Sequence, residues 1–191
     1  MGDICGVYNG YPKSTGIDYG LYVAKVIHHD LAIGNVSAWQ WWLGVDTYNY
    51  SDGLVYINDP SGGYNLDAMK TDGIVSDSKQ LWCMGNFSRF VRPGMIRVAA
   101  SLSTVANDVA AASSQMITAY NDKANKKLVI VIINDETTSK KFSLDPSVSL
   151  QNNKVTTYTT DLTNNLSKSV MNSNAIVLPA KSVVTIIANY K

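Results

Sequence analysis

The sequence predicts an α+β fold made of two halves with different periodicity. Helical and strand patterns alternate up to Arg92-Pro93-Gly94, and only short strands follow that point. Of the 191 residues, 46% are hydrophobic, which is enough apolar material to build the core of one large or two small domains. We therefore predict one unit at residues 1–94 and a second at residues 95–191.

Two amphipathic helix patterns lie in the first half. Residues 18–31 carry apolar side chains along one helical stripe, and Gly34 ends that pattern. Residues 77–91 form the second pattern, for which Asp77 is the predicted N-cap and Pro93-Gly94 the terminating pair. Both helices should therefore pack one face against a core.

A continuous apolar run and a long connection separate the two helix patterns. Residues 36–43, with the sequence VSAWQWWL, have the length and composition of a strand that is covered on both faces. A helix followed closely by such a strand is half of a βαβ unit. Residues 44–76 then form an unusually long connection with a short predicted strand at residues 53–57, and connections of this length are often functional.

The second half has a strand pattern throughout. About seven short apolar segments recur at intervals of roughly ten residues, separated by polar turns, which predicts an antiparallel β-sandwich. Alternating polarity places two of them, residues 140–144 and 154–160, at sheet edges or in half-exposed positions. The predicted strands are residues 96–101, 115–121, 127–134, 140–144, 154–160, 175–178 and 182–190.

Charge and cysteine content exclude several classes of function. With 16 Lys+Arg against 15 Asp+Glu and no basic cluster, we expect no binding to nucleic acid or to an anionic membrane surface. The longest apolar run is far shorter than a membrane span, and no signal-peptide pattern opens the chain. Cys5 and Cys83 have neither metal-ligand nor disulfide spacing, so we predict buried thiols, no metal site and no cofactor.

Five segments, taken in order, resemble the C-terminal part of glycoside hydrolase family 30. They are DIC at residues 3–5, GLYVAKVIHHDL at 20–31, SAWQWW at 37–42, DGLVY at 52–56 and KQLWCMGNFSRFVRPG at 79–94. The resemblance implies the last βα elements of a (β/α)8 barrel followed by an antiparallel β-sandwich. It also implies retaining hydrolysis of β-linked polysaccharide and a secreted or extracytoplasmic location. The pattern looks closest to endo-β-1,6-galactanase-like members.

The catalytic carboxyl groups expected from this resemblance are mostly missing. Retaining glycosidases need two carboxyl groups about 5–5.5 Å apart, and both are glutamates in the resembled family. The chain has one glutamate, Glu136, in a predicted sandwich turn. The resemblance places Asp3 at the nucleophile position, with Cys5 two residues later; the alternative is that Asp3 lies in a frayed chain start. A full barrel needs about 250 residues, so we expect a partial enzyme that is inactive alone.

The aromatic run supplies candidate substrate-binding residues. Strand alternation puts Gln40 and Trp42 on one face and Trp39 and Trp41 on the other. The resemblance makes Trp42 the substrate-lining tryptophan with Gln40 beside it, whereas the alternative is that the tryptophans fill a core. Two loop tyrosines after the run are either part of the same groove or ordinary exposed side chains. These are Tyr48 and Tyr50.

Three kinds of partner follow from these features. A β-linked oligosaccharide or polysaccharide is the expected ligand. An uncovered apolar strand at residues 36–43 would have open edges, so we also expect association with a missing N-terminal half or with a second copy of the chain. The alternative function is a non-catalytic carbohydrate-binding or structural β-sandwich module.

Overall fold

The computed structural model describes residues 13–191, so Asp3 and Cys5 lie outside the described residues. Four helices occur in this part of the chain: α1 (Ile17–Ala32), α2 (Leu66–Met69), α3 (Lys79–Ser88) and α4 (Asp108–Ala111). The strands there are β1 (Val45–Asp46), β2 (Val55–Asn58), β3 (Ile74–Asp77), β4 (Ile96–Val98), β5 (Gln115–Asp122), β6 (Lys127–Asn134), β7 (Lys140–Phe142), β8 (Lys154–Thr160), β9 (Ser167–Asn172), β10 (Ile176–Leu178) and β11 (Ser182–Asn189).

A six-stranded antiparallel sheet is the centre of the described fold, in the order β4-β5-β6-β11-β8-β9. Its two faces are both buried. One face packs against α1 and α3, and the other packs beneath a two-stranded sheet formed by β7 and β10. The central strand β6 therefore has an almost continuous apolar sequence, since its side chains are covered on both sides.

Alternate residues of β6 show this two-sided burial directly. Val131 and Ile133 belong to the core on the helix side, whereas Ile130 and Ile132 belong to the core on the other side. The α+β class is confirmed, and the antiparallel strands after residue 94 agree with the predicted sandwich. The predicted helix at residues 18–31 is confirmed as α1.

The strand-rich half differs from the prediction at two strands. Residues 154–160 were predicted at an edge or in a half-exposed position; β8 lies between β11 and β9 and so is not an edge, but its burial alternates as the half-exposed alternative requires. The edge is β9, which the sequence analysis missed because its SKSVMN sequence is polar and mostly exposed. An edge strand of this kind is stabilised by backbone pairing more than by burial, so it leaves little hydrophobic signal.

The start of α3 also differs from the prediction. Ser78 is the N-cap, and its side-chain oxygen accepts a hydrogen bond from the Leu81 N–H at 3.4 Å. Asp77 is instead the last residue of β3, and its carboxylate accepts from the indole N–H of Trp82. Cys83 in the same helix is fully buried as predicted, and burial raises the pKa of its thiol to about 12.

The predicted strand at residues 36–43 is wrong. This segment forms no β-ladder with any residue in the range 13–191. A strand is stable only when a neighbour satisfies its backbone groups, and the described part of the chain places none beside it. Backbone pairing starts at the end of this segment, where the Leu43 N–H donates to the Asp52 carbonyl and the Leu43 carbonyl accepts from the Leu54 N–H.

A small sheet, β1-β2-β3, organises the long connection after that segment. Strands β1 and β2 are parallel, with Val45 opposite Val55, and β3 is antiparallel to β2. The short strand predicted at residues 53–57 corresponds to β2. No helix of the described residues is long and apolar enough to cross a membrane.

An ion-pair group joins α1 to the large sheet. Asp135, at the end of β6, accepts from Lys25 of α1 at 2.9 Å and from Lys181 at 2.9 Å. Burial pushes the pKa of Asp135 upward, but the hydrogen bonds and charges of the two lysines outweigh it and leave that pKa below its ordinary value. The pairing therefore stabilises the fold at neutral pH.

We expect Asp135→Asn to lower the free energy of unfolding by about 1–2 kcal/mol at pH 7, because each lysine loses a charged partner. The depressed pKa means that this stabilisation is present above about pH 4 and lost as the pH falls through the folded-state pKa. Urea titrations at pH 7 and pH 3 measure the difference. Asp67→Asn, in a fully solvated pair with Lys70, is the control and should change neither titration. An equal loss at both pH values would contradict the expectation.

Candidate functional site

Two of the tryptophans in the aromatic run are tied into the fold. The Trp39 and Trp41 rings stack with centroids 5.8 Å apart and planes 17° apart, and both pack against the helix-side core. Trp39 Nε1 donates to Asp30 Oδ2 at 2.8 Å, and Trp41 Nε1 donates to Asp52 O at 2.7 Å. The position of these two rings agrees with the core interpretation.

Trp42 is more exposed to solvent than Trp39 and Trp41. Its side chain is 69% exposed, and Gln40 is exposed as well. Alternation was expected to put Gln40 and Trp42 on one face and Trp39 and Trp41 on the other, and the structure separates the same two sets, the second of which is half-buried. The Trp42–Leu43 peptide bond is cis.

The loop between β1 and β2 carries the two predicted tyrosines. Tyr48 and Tyr50 are 51% and 40% exposed, and their rings lie 6.2 Å apart. Two hydrogen bonds anchor the loop backbone. The Tyr48 N–H donates to Asp46 Oδ1, and the Tyr50 carbonyl accepts from the hydroxyl of Tyr56, each at 2.9 Å. The structure thus puts both rings in solvent on an anchored loop.

A buried tyrosine and a lysine support that loop. Tyr56 is fully buried, and the ammonium of Lys13 lies 4.2 Å from its ring centroid, a cation–π distance. The same ammonium donates to Asn58 Oδ1 at 3.1 Å. Burial lowers the pKa of Lys13, while the charge of Asp46 opposes this shift.

A tight turn after β2 positions a third exposed tyrosine. The carboxylate of Asp59 accepts from the Ser61 hydroxyl and from three backbone N–H groups, and these hydrogen bonds lower its pKa to about 2. Gly62 takes the left-handed conformation that the turn requires, with φ of +86°. Tyr64 follows, and its hydroxyl donates to Asn49 Oδ1 at 2.9 Å.

The sequence analysis missed three residues that contact the loop between β1 and β2 or belong to it: Lys13, Asn49 and Tyr64. They come together only through the turn and the loop, so no periodicity links them. The signal that could have found Tyr64 is its position directly after the turn pair Gly62-Gly63 in a long connection.

The single glutamate lies elsewhere. Glu136 is in the turn after β6, as predicted, where its carboxylate accepts from Gln115 Nε2 at 2.6 Å and pairs with Lys140. Asp3, the predicted nucleophile position, is outside the described residues.

The adjacent histidines, His28 and His29, lie on α1. His28 is buried against the core side of α1, where burial lowers its pKa to about 4, and its ring makes an edge contact with that of His29. No group of three metal-ligating side chains occurs among the residues that the structure describes.

Comparison with known proteins relates most of this chain to one enzyme family. Residues 1–56 match the family model of O-Glycosyl hydrolase family 30. Glucuronoxylanase XynC of Bacillus subtilis (strain 168) is 30% identical over 177 residues, which are 88% of this chain and 34% of the relative. The chain thus spans about a third of the length of the curated relatives that it matches.

Solved structures give the same relationship. A conserved exported protein from Bacteroides fragilis has a TM-score of 0.79 and 37% identity over 90% of this chain and 33% of its own. The glycoside hydrolase family 30 subfamily 8 xylanase Xyn30A from Clostridium acetobutylicum has a TM-score of 0.65 and 28% identity over 94% of this chain and 41% of its own. The likeness to galactanase-type members is not tested by these matches and stays a prediction.

Proposed function

Because this chain belongs to the C-terminal region of glycoside hydrolase family 30, we propose that it forms one wall of the saccharide-binding site of a retaining hydrolase that acts on β-linked polysaccharide. The observation that carries this proposal is Trp42, which is 69% exposed at a point where the backbone is fixed by hydrogen bonds. A flat aromatic ring offers an apolar face to the C–H groups of a sugar, and Gln40 offers polar groups to its hydroxyls.

In this proposal the two halves of the chain have different roles. Residues 1–94 belong to the catalytic barrel, and residues 95–191 form a β-sandwich that supports it. Support for the second role comes from the contact between them: α1 and α3 pack directly on the six-stranded sheet, and Asn86 of α3 is hydrogen-bonded to Tyr158 and Thr185. The sandwich thereby fixes the helices that flank the aromatic run.

Retaining hydrolysis uses two carboxyl groups, which are both glutamates in the resembled family, and the 191 residues contain one glutamate, Glu136. Glu136 is already bound to Gln115 and Lys140 in a sandwich turn. We therefore propose Asp3 at the nucleophile position, no acid/base residue within the 191 residues, and no hydrolysis by this polypeptide alone. A location outside the cytoplasm fits the description of the Bacteroides fragilis relative as exported.

Apolar side chains near the aromatic run suit a protein partner. Ile33, Val36 and Val45 are each at least 41% exposed. A surface of this kind would be covered by the remaining part of a family 30 barrel or by a second copy of the chain. The alternative function, a non-catalytic binding or structural module, requires neither the remaining barrel nor a second copy of the chain.

Sugar binding is tested by isothermal titration of β-linked galacto-, gluco- and xylo-oligosaccharides into the full 191-residue chain. We expect Trp42→Ala to weaken binding about tenfold, since loss of an aromatic contact is worth roughly 1–1.5 kcal/mol. Leu162→Ala, which removes an equally exposed apolar side chain on the sandwich, is the control and should bind like the parent. Equal binding by Trp42→Ala and the parent, or no binding at all, would refute the proposal. Turnover of aryl β-glycosides above a heat-inactivated sample would refute the part concerning catalysis.

A further inference from the structure

Two Asp-Gly pairs in the described part of the chain differ in their environment. Asp72-Gly73 joins α2 to β3, and Asp52-Gly53 lies just before β2. In an Asp-Gly pair the backbone nitrogen of the glycine can attack the side-chain carboxyl carbon of the aspartate, because glycine has no Cβ to restrict the rotation of the backbone. The reaction depends on the distance between these two atoms, the exposure of the pair and the freedom of its backbone to rotate.

At Asp72-Gly73 the two reacting groups already lie side by side. The Gly73 N–H donates to Asp72 Oδ1 at 2.8 Å. Because a carbon–oxygen bond is about 1.23 Å long, the Gly73 nitrogen is no more than about 4 Å from the carboxyl carbon. Asp72 is exposed, and its carboxylate has no other hydrogen bond and no ion pair among residues 13–191. Water therefore reaches the pair, and no other side chain occupies the carboxyl group.

Few contacts hold the backbone on either side of this pair. Helix α2 has no buried residue, and all four residues of β3 are exposed. Within the described range, the Gly73 N–H is bonded to the Asp72 side chain alone and takes no part in the ladder of β3. Segments with few buried contacts open locally at a small cost in free energy, so the rotation that the attack requires is accessible here.

Asp52-Gly53 has the same two residues in a closed environment. Asp52 is 6% exposed, and the Gly53 N–H donates to the Tyr56 hydroxyl at 3.1 Å. A Cβ added to Gly53 would lie 2.7 Å from Asp46 Cβ and 2.8 Å from Tyr56 Cε1, so the backbone has no room to rotate. Attack at this pair requires local unfolding first, which makes Asp52-Gly53 an internal control for Asp72-Gly73.

We propose that Asp72 is a site of spontaneous modification, at which aspartate isomerises to isoaspartate through a succinimide. The Gly73 nitrogen loses its proton and forms a bond to Asp72 Cγ, and one carboxyl oxygen leaves as water. Water then adds to one of the two carbonyl carbons of the five-membered ring. Cleavage of the bond from nitrogen to Cγ restores aspartate, and cleavage of the bond from nitrogen to the backbone carbonyl carbon of Asp72 leaves isoaspartate. The reaction needs only water and is independent of the proposed sugar binding.

Isoaspartate lengthens the main chain by one methylene directly before β3. Gly73 is packed closely against β2, since a Cβ added to it would lie 2.9 Å from the Asn58 carbonyl oxygen. The longer chain therefore cannot move toward β2, and the pairing of Ile74 with Asn58 should open. Because β3 is an exposed outer strand, we expect this change to stay local and to leave the thermal melt unaltered.

The modification is tested by incubating the full 191-residue chain at 37 °C, at pH 5 and at pH 8. Peptides are then mapped by electron-transfer dissociation, which distinguishes isoaspartate from aspartate. We expect isoaspartate to accumulate at Asp72 at least about tenfold faster than at Asp52, because the buried pair reacts only after it opens. The rate should be higher at pH 5, since water leaves from the protonated carboxyl group. Equal rates at the two aspartates, or an unmodified Asp72 when a synthetic peptide of residues 66–77 has largely isomerised, would overturn the inference.

Two variants at the same position provide matched controls. Asp72→Glu keeps the charge but would need a six-membered ring, so it should abolish the modification. Asp72→Asn has the same geometry and loses ammonia instead of water, so its peptide should gain the mass of deamidation; a constant mass would also overturn the inference. Hydrogen exchange at Ile74 should be about fivefold faster in the aged parent than in aged Asp72→Glu, which corresponds to the loss of one backbone hydrogen bond. Equal exchange in the two aged chains would contradict the opening of β3.

Discussion

Asn86→Asp is expected to lower the free energy of unfolding at pH 7 by about 3–5 kcal/mol, the cost of an uncompensated buried charge. Asn86 is fully buried between α3 and the six-stranded sheet. Its side-chain amide donates to the backbone carbonyl of Tyr158 and to Thr185 Oγ1, each at 2.9 Å, and the backbone carbonyl of Asn86 accepts from the Thr185 hydroxyl at 2.7 Å. An aspartate of the same shape would place a carboxylate oxygen against the Tyr158 carbonyl, where no donor exists.

The pH dependence distinguishes charge burial from a general loss of packing. A carboxyl group whose charged form is disfavoured in the folded state costs most above its folded-state pKa. The cost disappears as the pH falls below about 4, where the unfolded chain is also protonated. Urea titrations of parent and variant at pH 7 and pH 3.5 measure both values. Asn165→Asp makes the same chemical change at an exposed position that receives a hydrogen bond from Lys79, so it should not destabilise the fold.

Thr185→Val completes a double-mutant cycle with Asn86→Asp. Because the two side chains are bonded to each other, their effects should not add, and a coupling of about 1 kcal/mol or more is expected. Additive effects, or a loss below about 1 kcal/mol in Asn86→Asp, would show that this contact does not fix α3 to the sheet. The supporting role proposed for residues 95–191 would then lose its main argument.

The sequence was informative where burial alone determines structure. The helix at residues 18–31 and the strand at residues 127–134 both follow from apolar spacing, and both were found within a residue. Residues 36–43 have an equally apolar sequence but form no ladder, because pairing depends on a neighbour that composition does not reveal. The separation of Trp42 and Gln40 from Trp39 and Trp41 was predictable from alternation, whereas the run as a whole was expected to be covered on both faces.

The candidate site was predicted in part. Trp42, Gln40, Tyr48 and Tyr50 were chosen from the aromatic run and the loop after it, and all four are exposed; their role in substrate binding stays a prediction. The residues that anchor this loop were not predicted, because they are distant in sequence. Lys13, for example, donates a hydrogen bond to Asn58, 45 positions away. Contacts between such distant residues depend on how two loops cross, which no local pattern encodes. Tertiary structure was therefore needed to see that the loop is anchored.

Replacing a helical glycine by alanine is expected to affect the free energy of unfolding differently at Gly20 and at Gly85. At Gly20 of α1, an added Cβ would lie 2.8 Å from the Lys79 carbonyl oxygen and 3.0 Å from Cys83 Sγ. At Gly85 of α3, the nearest atom would be the terminal Cδ1 of Leu166 at 3.0 Å. Alanine favours a helix over glycine by about 1 kcal/mol at either position. The neighbour decides the sign, since the end of a leucine side chain can rotate and a helix backbone cannot.

We therefore expect Gly20→Ala to destabilise the fold by about 1–3 kcal/mol, as α1 is pushed away from the first turn of α3. Gly85→Ala should change the free energy of unfolding by less than about 1 kcal/mol or increase it. Urea titration followed by tryptophan fluorescence measures both, and a stabilised Gly20→Ala would contradict the observed α1–α3 contact. The result bears on the site, because α1 also holds Trp39 through Asp30. A displaced α1 should move the stacked Trp39–Trp41 pair from which Trp42 projects, so Gly20→Ala should weaken sugar binding as well.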